Sequence, residues 1–284
     1  MPLGDRQEND LVHITLDVWQ DKVYYLGKEY PAGYFAAGVL NVSHNLFVTI
    51  TGEGGFLLDA YAIAKFGDRE QLEELLPVLW ESVENMLRSL RQVPPFSLWN
   101  MEAELGKMKA MLSKDRIDQL LDNPEEKMWF LAYLRAGILL PISIYHFVIA
   151  AWHLETYYLH RLGKRDETHF AVAFHDFYHD PSTKEVLEKM FAPTIEPFDV
   201  NPRLRSSYTF ARDPKDEKKM IFVNRVFFSS YMDFYVYDLL NGMHWGHAPS
   251  LCECCLKYFL TTDSHKPKYC DGMAPQNPHY TCRQ

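Results

Sequence analysis

The first 251 residues of this 284-residue chain contain no cysteine. A disulfide scaffold spreads its cysteines through a small secreted chain, so this pattern argues against one. No long internal repeat or low-complexity run is visible. The N-terminus, Met1 to Asp10, is polar and lacks the apolar core of a signal peptide, which points to the cytoplasm. Positive charge is also scarce. Lys and Arg number 29 against 38 Asp and Glu, a net charge of −9 with a pI of about 5.7. That balance disfavours a protein that coats nucleic acid or anionic membrane by charge alone.

Two further absences narrow the chemistry. Thr51-Gly52-Glu53-Gly54-Gly55 is glycine-rich but lacks the lysine of a phosphate-binding loop and has an acid in its middle, so it reads as a plain turn before a helix. Ala136 to Trp152 carries no Asp, Glu, Lys or Arg. It falls short of the ~20 residues of a membrane span. It also contains Pro141 and His146. A buried central helix is the better reading.

What the chain does have is concentrated at its end. Cys252, Cys254, Cys255, Cys270 and Cys282 all lie in the last 33 residues. Cys252-x-x-Cys255 lets two sulfurs converge on one ion, and Cys270 and Cys282 can supply the second pair of a closed, tetrahedral zinc site. Gly272, Pro275 and Pro278 favour turns between them. Cys254 is the spare sulfur, and His265 or His279 could replace one thiolate. The alternative is a tail without metal, its cysteines free or disulfide-bonded. A segment this short cannot bury a core of its own, so one structural Zn2+ would supply its folding energy.

Cys252-x-x-Cys255-x-x-Tyr258-Phe259, Tyr269-Cys270-Asp271 and Thr281-Cys282-Arg283 resemble the C-terminal finger of an uncharacterised family of Gram-positive bacteria, a domain of unknown function. Tyr237-Asp238-Leu239-Leu240 and Gly246-His247-Ala248-Pro249 resemble it too. The resemblance covers about the last third of the chain and implies a fold and a metal rather than a reaction.

Elsewhere the patterns are periodic. Val12, Ile14, Leu16 and Val18 alternate with polar residues and start a small β meander over residues 11–30. Leu46 to Ile50 could add a strand. From Asp68, Leu72, Leu75, Leu76, Leu79, Val83, Met86, Leu87 and Leu90 follow a helical stripe, with Pro77 expected to kink or divide it. A second helix is expected over about 101–121, and Asn123-Pro124-Glu125-Glu126 starts a third. A short helix follows over about Ser182 to Met190, and Pro193, Pro197 and Pro202 mark a linker. Leu204–Arg212 and Met220–Phe228 read as strands around a charged turn. Ser229 or Ser230 caps the next helix, which Gly242 is expected to stop.

Six of the twelve histidines lie between residues 146 and 179. His146, His153 and His160 share one helical face, and His175 and His179 project together as in the H-E-x-x-H of zinc proteases, with Asp176 in place of Glu.

These patterns specify an α+β protein with a predominantly helical body, short β elements and a C-terminal zinc-finger-like module. The expected divisions are 1–200, 201–250 and 251–284. Two function classes follow. The first is a non-enzymatic binding or regulatory protein whose module, with Cys252, Cys255, Cys270 and Cys282 as zinc ligands, contacts another protein or, less favourably, nucleic acid. The second is a metal-dependent hydrolase built on residues 146–179. From Cys252 to Gln284, four Lys and Arg face three acids. Four thiolates and one Zn2+ turn that net +1 into about −1, which favours a protein partner over nucleic acid. No membrane partner is expected.

Overall fold

The computed structural model describes residues 9–190, 202–213, 215–262 and 267–284. His265 and the linker prolines Pro193 and Pro197 lie outside the described residues. The fold is α+β and mostly helical. Contacts group it into two units. One joins Thr15–Asn41 with His146–Gln284, and the other joins Asn9–Ile14 with Val42–Tyr145.

In the first unit the alternating N-terminal pattern forms the expected meander. β1 (Ile14–Trp19), β2 (Lys22–Tyr25) and β3 (Lys28–Pro31) pair antiparallel in series. The turn between β2 and β3 uses positive φ at Leu26 (48°) and Gly27 (74°). A short helix, α1 (Tyr34–Val39), follows.

The second unit corrects three expectations. Leu46–Ile50 is not a strand, and Thr51–Gly55 is not a turn, because both lie inside α2 (His44–Phe66). Ser43 caps it by accepting the Leu46 N–H. Glu53 finds a partner in Ser82 of the next helix, which gives the acid among the glycines a packing role. That helix, α3 (Arg69–Leu90), buries the leucine stripe and opens with an Asp68/Gln71 capping box. Pro77 lies within α3 without dividing it. The helix expected over 101–121 is two, α4 (Met101–Met111) and α5 (Ile117–Asp122), parted by a single tight turn at Lys114–Arg116.

The third helix starts at its Asn123 cap as α6 (Pro124–Leu154), where Asn123 Oδ1 accepts the Glu125 and Glu126 N–H groups. Two helical stretches, His44–Phe66 and Pro124–Leu159, are long and apolar enough to cross a membrane by length and composition alone. The most apolar window of the second is 61% buried inside the protein, that of the first 27%. Past α6 one wide turn, Glu155–Leu159, carries an i→i−5 bond from His160 N–H to the Glu155 carbonyl.

The first unit then resumes. α7 (Glu167–His179) and α8 (Pro181–Met190) precede the hairpin of β4 (Leu204–Asp213) and β5 (Asp216–Phe228), which matches the strand–turn–strand pattern. β5 lies beside β1, so the sheet order is β3-β2-β1-β5-β4. At that junction Arg225 Nε and Nη2 donate to Asp17 Oδ1 and Oδ2 at 2.7 and 2.9 Å. Ser230 caps α9 (Tyr231–His244). Gly242 does not stop this helix, which runs on to His244. The missing side chain instead admits Gly33: a Cβ on Gly242 would lie 2.9 Å from Gly33 Cα. The rings of Tyr25, Phe35 and Phe234, at 5.3 and 5.5 Å, join sheet, α1 and α9 in one core.

Candidate metal centre

The C-terminal module grows directly from this core. His247, buried, shares a 3.0 Å hydrogen bond between Nδ1 and the Ala32 carbonyl. β6 (Ala248–Leu251) and β7 (Tyr258–Thr261) pair antiparallel, and Asn41 clamps the Tyr258 backbone through both its N–H and its carbonyl. Arg165, fully buried, donates from Nη2 to the Pro249 carbonyl at 3.2 Å. Burial lowers its pKa, against the opposing pull of Glu155.

The loop between β6 and β7 is the C-x-x-C turn. Leu256 N–H donates to the Cys252 carbonyl at 3.0 Å, and Leu256 takes a positive φ of 57° to complete the turn. The second pair arrives on the chain that follows. Glu253 N–H donates to the Lys268 carbonyl, which lays Cys270 against the turn. A short hairpin, β8 (Met273–Ala274) with β9 (Asn277–Thr281), returns Cys282, whose N–H donates to the Gly272 carbonyl at 2.7 Å.

The Sγ atoms of Cys252, Cys255, Cys270 and Cys282 all lie within 4.8 Å of one another, and Cys255 and Cys270 are 3.6 Å apart. Four thiolates around one zinc at ~2.3 Å would sit ~3.8 Å from each other, so the donor set and its spacing fit a tetrahedral ion. Cys252 and Cys282 are buried; Cys255 and Cys270 are half-buried. Such a site could hold a metal ion with little open access.

The electrostatics favour a thiolate at Cys252. Burial pushes Cys252 up, but hydrogen bonds from the backbone N–H groups of Cys255, Cys270 and Cys254 outweigh it and bring the pKa down to about 6. Burial raises the pKa of Cys270 and Cys282. Cys254 stands outside the cluster, with Sγ 3.8 Å from Gln276 Oε1. His279 is exposed and is not one of the four clustered residues.

The histidines do not converge in the same way. His146 is buried on α6, and His153 Nε2 lies 3.2 Å from Thr183 Oγ1, with burial lowering its pKa. His175 and His179 do project together on α7, their rings stacked at 4.2 Å. They border an apolar groove with Phe174, Leu240, Met243 and His244. His244 Nδ1 engages Glu167 at 2.7 Å. Among the described residues, only the four cysteines gather three or more candidate ligands at metal-binding distance.

Asp238 enters the sequence reading only as part of the resembling stretch Tyr237-Asp238-Leu239-Leu240; its role in tying the module's base together was missed. Fully buried on α9, it accepts the Gly33 N–H at 3.0 Å and the Ala36 N–H at 2.9 Å. The available signal was a lone acid inside the apolar run Tyr235-Val236-Tyr237-Asp238-Leu239-Leu240.

Residues 199–284 match a family of unknown function, DUF6076. That stretch holds β4 to β9, α9 and every cysteine. No curated protein and no solved structure matches the chain.

Proposed function

We propose that this chain is a cytoplasmic, non-enzymatic binding protein whose C-terminal module is held by one structural Zn2+ on Cys252, Cys255, Cys270 and Cys282. The observation that carries the reading is the convergence of four sulfurs within 4.8 Å, two of them buried, from three separate stretches of the module. Four protein ligands fill a tetrahedral shell and leave no position for substrate, which is the arrangement of structural rather than catalytic zinc. The module's net charge of about −1 with its ion favours a protein as its partner. His175 and His179 offer two donors without a third among the described residues, so they do not carry a hydrolytic reading.

Elemental analysis of full-length protein, purified under reducing conditions without chelator, tests the metal. About one zinc per chain is expected, lost in Cys252→Ser and Cys270→Ser. Protein free of zinc, or an iron-loaded and coloured preparation, would overturn the assignment.

A further inference from the structure

The β4–β5 hairpin carries a feature that the metal centre does not explain. β4 is the outer strand of the sheet. Its register sets Tyr208 opposite Asn224, Phe210 opposite Phe222 and Arg212 opposite Met220. The alternate residues Ala211 and Val223 point the other way and are buried with Tyr24, against Trp19 and Ile221. One face of the hairpin is therefore committed to a core. The other presents Tyr208, Phe210 and Phe222 at 82%, 63% and 78% exposure. Single exposed apolar residues are ordinary, but three aromatic rings on adjacent positions of one sheet face form a patch that calls for a ligand.

Charge selects the ligand. From Arg203 to Phe228 the sequence has seven Lys and Arg against three acids, a net of +4. The whole chain carries −9, which leaves −13 on the rest of it. Arg212 shares the aromatic face by register, and Lys218 lies close by in the stretch of β5 between Asp216 and Met220 where the register shifts. An apolar protein surface would be served by the rings alone. Rings interleaved with cations, in an otherwise acidic chain, suit a polyanion whose bases can stack. Tyr208 and Phe210 are two residues apart on one strand, about 7 Å, and leave room for successive unpaired bases but not for a duplex, whose bases are already stacked. The hydroxyl of Ser206 and the amide of Asn224 belong to the same face, and both can bond a 2′-hydroxyl.

We propose that the face bearing Tyr208, Phe210 and Phe222, flanked by Arg212 and Lys218, binds single-stranded RNA. Binding occurs by base stacking on the rings and by phosphate contacts to the cations. It uses a surface distinct from the cysteine cluster and goes beyond the role proposed for the module.

Fluorescence anisotropy with full-length protein and a labelled oligouridine of about 20 nucleotides tests this. Binding should weaken with salt at a log–log slope of about −1.4, as expected for two phosphate contacts, at Arg212 and Lys218. Tyr208→Ala and Phe222→Ala should each lower affinity about tenfold. Phe222→Leu, which keeps apolar area but removes the ring, should lose as much as the alanine variant. Arg212→Gln with Lys218→Gln should flatten the salt slope. The rings are exposed, so the variants should keep the wild-type circular dichroism spectrum and melting temperature. Absence of binding, or binding untouched by these variants, would overturn the proposal. Full retention by Phe222→Leu would reject base stacking on that ring and with it the proposed mode of binding, and equal affinity for the matching DNA strand would reject RNA.

Discussion

Asp238 caps a helix that lies 205 residues before it in the chain: its Oδ1 accepts the Gly33 backbone N–H at 3.0 Å, and Oδ2 accepts that of Ala36 at 2.9 Å. Gly33 is the residue at the start of α1 and has no side chain with which to cap it. The free N–H groups of the first turn thus take their acceptor from α9, at the floor of the C-terminal module.

Asp238→Asn offers one carbonyl oxygen where two N–H groups need acceptors, and an NH2 that faces a donor. The expected loss is about 1–3 kcal/mol in urea unfolding. The pH dependence has a definite sign. Burial outweighs the backbone hydrogen bonds and raises the Asp238 pKa to about 6. Its unfolded value is ~3.9, so over this interval the folded state holds the proton more tightly. The contribution is fully present below about pH 4 and is lost as pH rises through about 6. The stability of wild type minus that of Asp238→Asn should therefore shrink between these limits, by up to about 2–3 kcal/mol. A difference that is flat or that grows with pH would refute this assignment.

Two Gly→Ala substitutions should act with opposite signs. In α4, a Cβ at Gly106 meets nothing within 4 Å, so Gly106→Ala should stabilise by about 1 kcal/mol through helix propensity. In α9, the same change at Gly242 meets Gly33 Cα at 2.9 Å and the Ala32 carbonyl at 3.1 Å, both backbone atoms that cannot rotate away. Overpacking of about 1–3 kcal/mol should outweigh the propensity gain. Melting temperatures of the pair measure both signs in one experiment.

Arg225→Met should destabilise by about 3–5 kcal/mol, because it leaves the Asp17 carboxylate buried without its forked partner. The double variant Asp17→Asn, Arg225→Met should recover much of that loss. Arg225→Lys should not, since an ammonium cannot reproduce both bonds from Nε and Nη2. Chemical denaturation of wild type, Asp17→Asn, Arg225→Met and the double variant forms the cycle, with Arg225→Lys measured beside it.

Cys254→Ser should retain the metal and the fold, because its sulfur contacts Gln276 and is not one of the four that cluster. Native mass spectrometry comparing it with Cys255→Ser reads the contrast directly: one zinc kept, one zinc lost.

Much of this arrangement is legible in the sequence where a period is strong. The leucine stripe of α3, the alternation of β1 and the hairpin around Asp213–Glu217 follow from local pattern alone. Leu46–Ile50 misleads because a run of five residues, three of them β-branched (Val48, Thr49 and Ile50), is too short to show a period of its own. Only the packing of α2 on α3, with Glu53 at Ser82, decides for helix. Gly242 misleads for a related reason. A glycine near a helix end reads as a stop, while its actual role depends on Gly33, more than 200 residues away. The spacing of the cysteines carries their convergence because a C-x-x-C turn is a local device. The whole-chain charge of −9 conceals the hairpin, because composition averages over a surface on which charge is segregated.

The junction of β1 with β5 also sets a timetable. Asp17 and Arg225 are 208 residues apart, and the ribosome delivers the N-terminus first. The meander therefore emerges with its β1 edge unpaired and must wait through the synthesis of everything up to Phe228 before that edge is covered. Residues 42–145, whose contacts are mostly their own, are complete well before then. Closing so long a loop adds little to the equilibrium cost, which grows only with the logarithm of its length, but it places the sheet among the slow, non-local steps of assembly. A nascent chain halted before β5 displays an open strand edge to its neighbours.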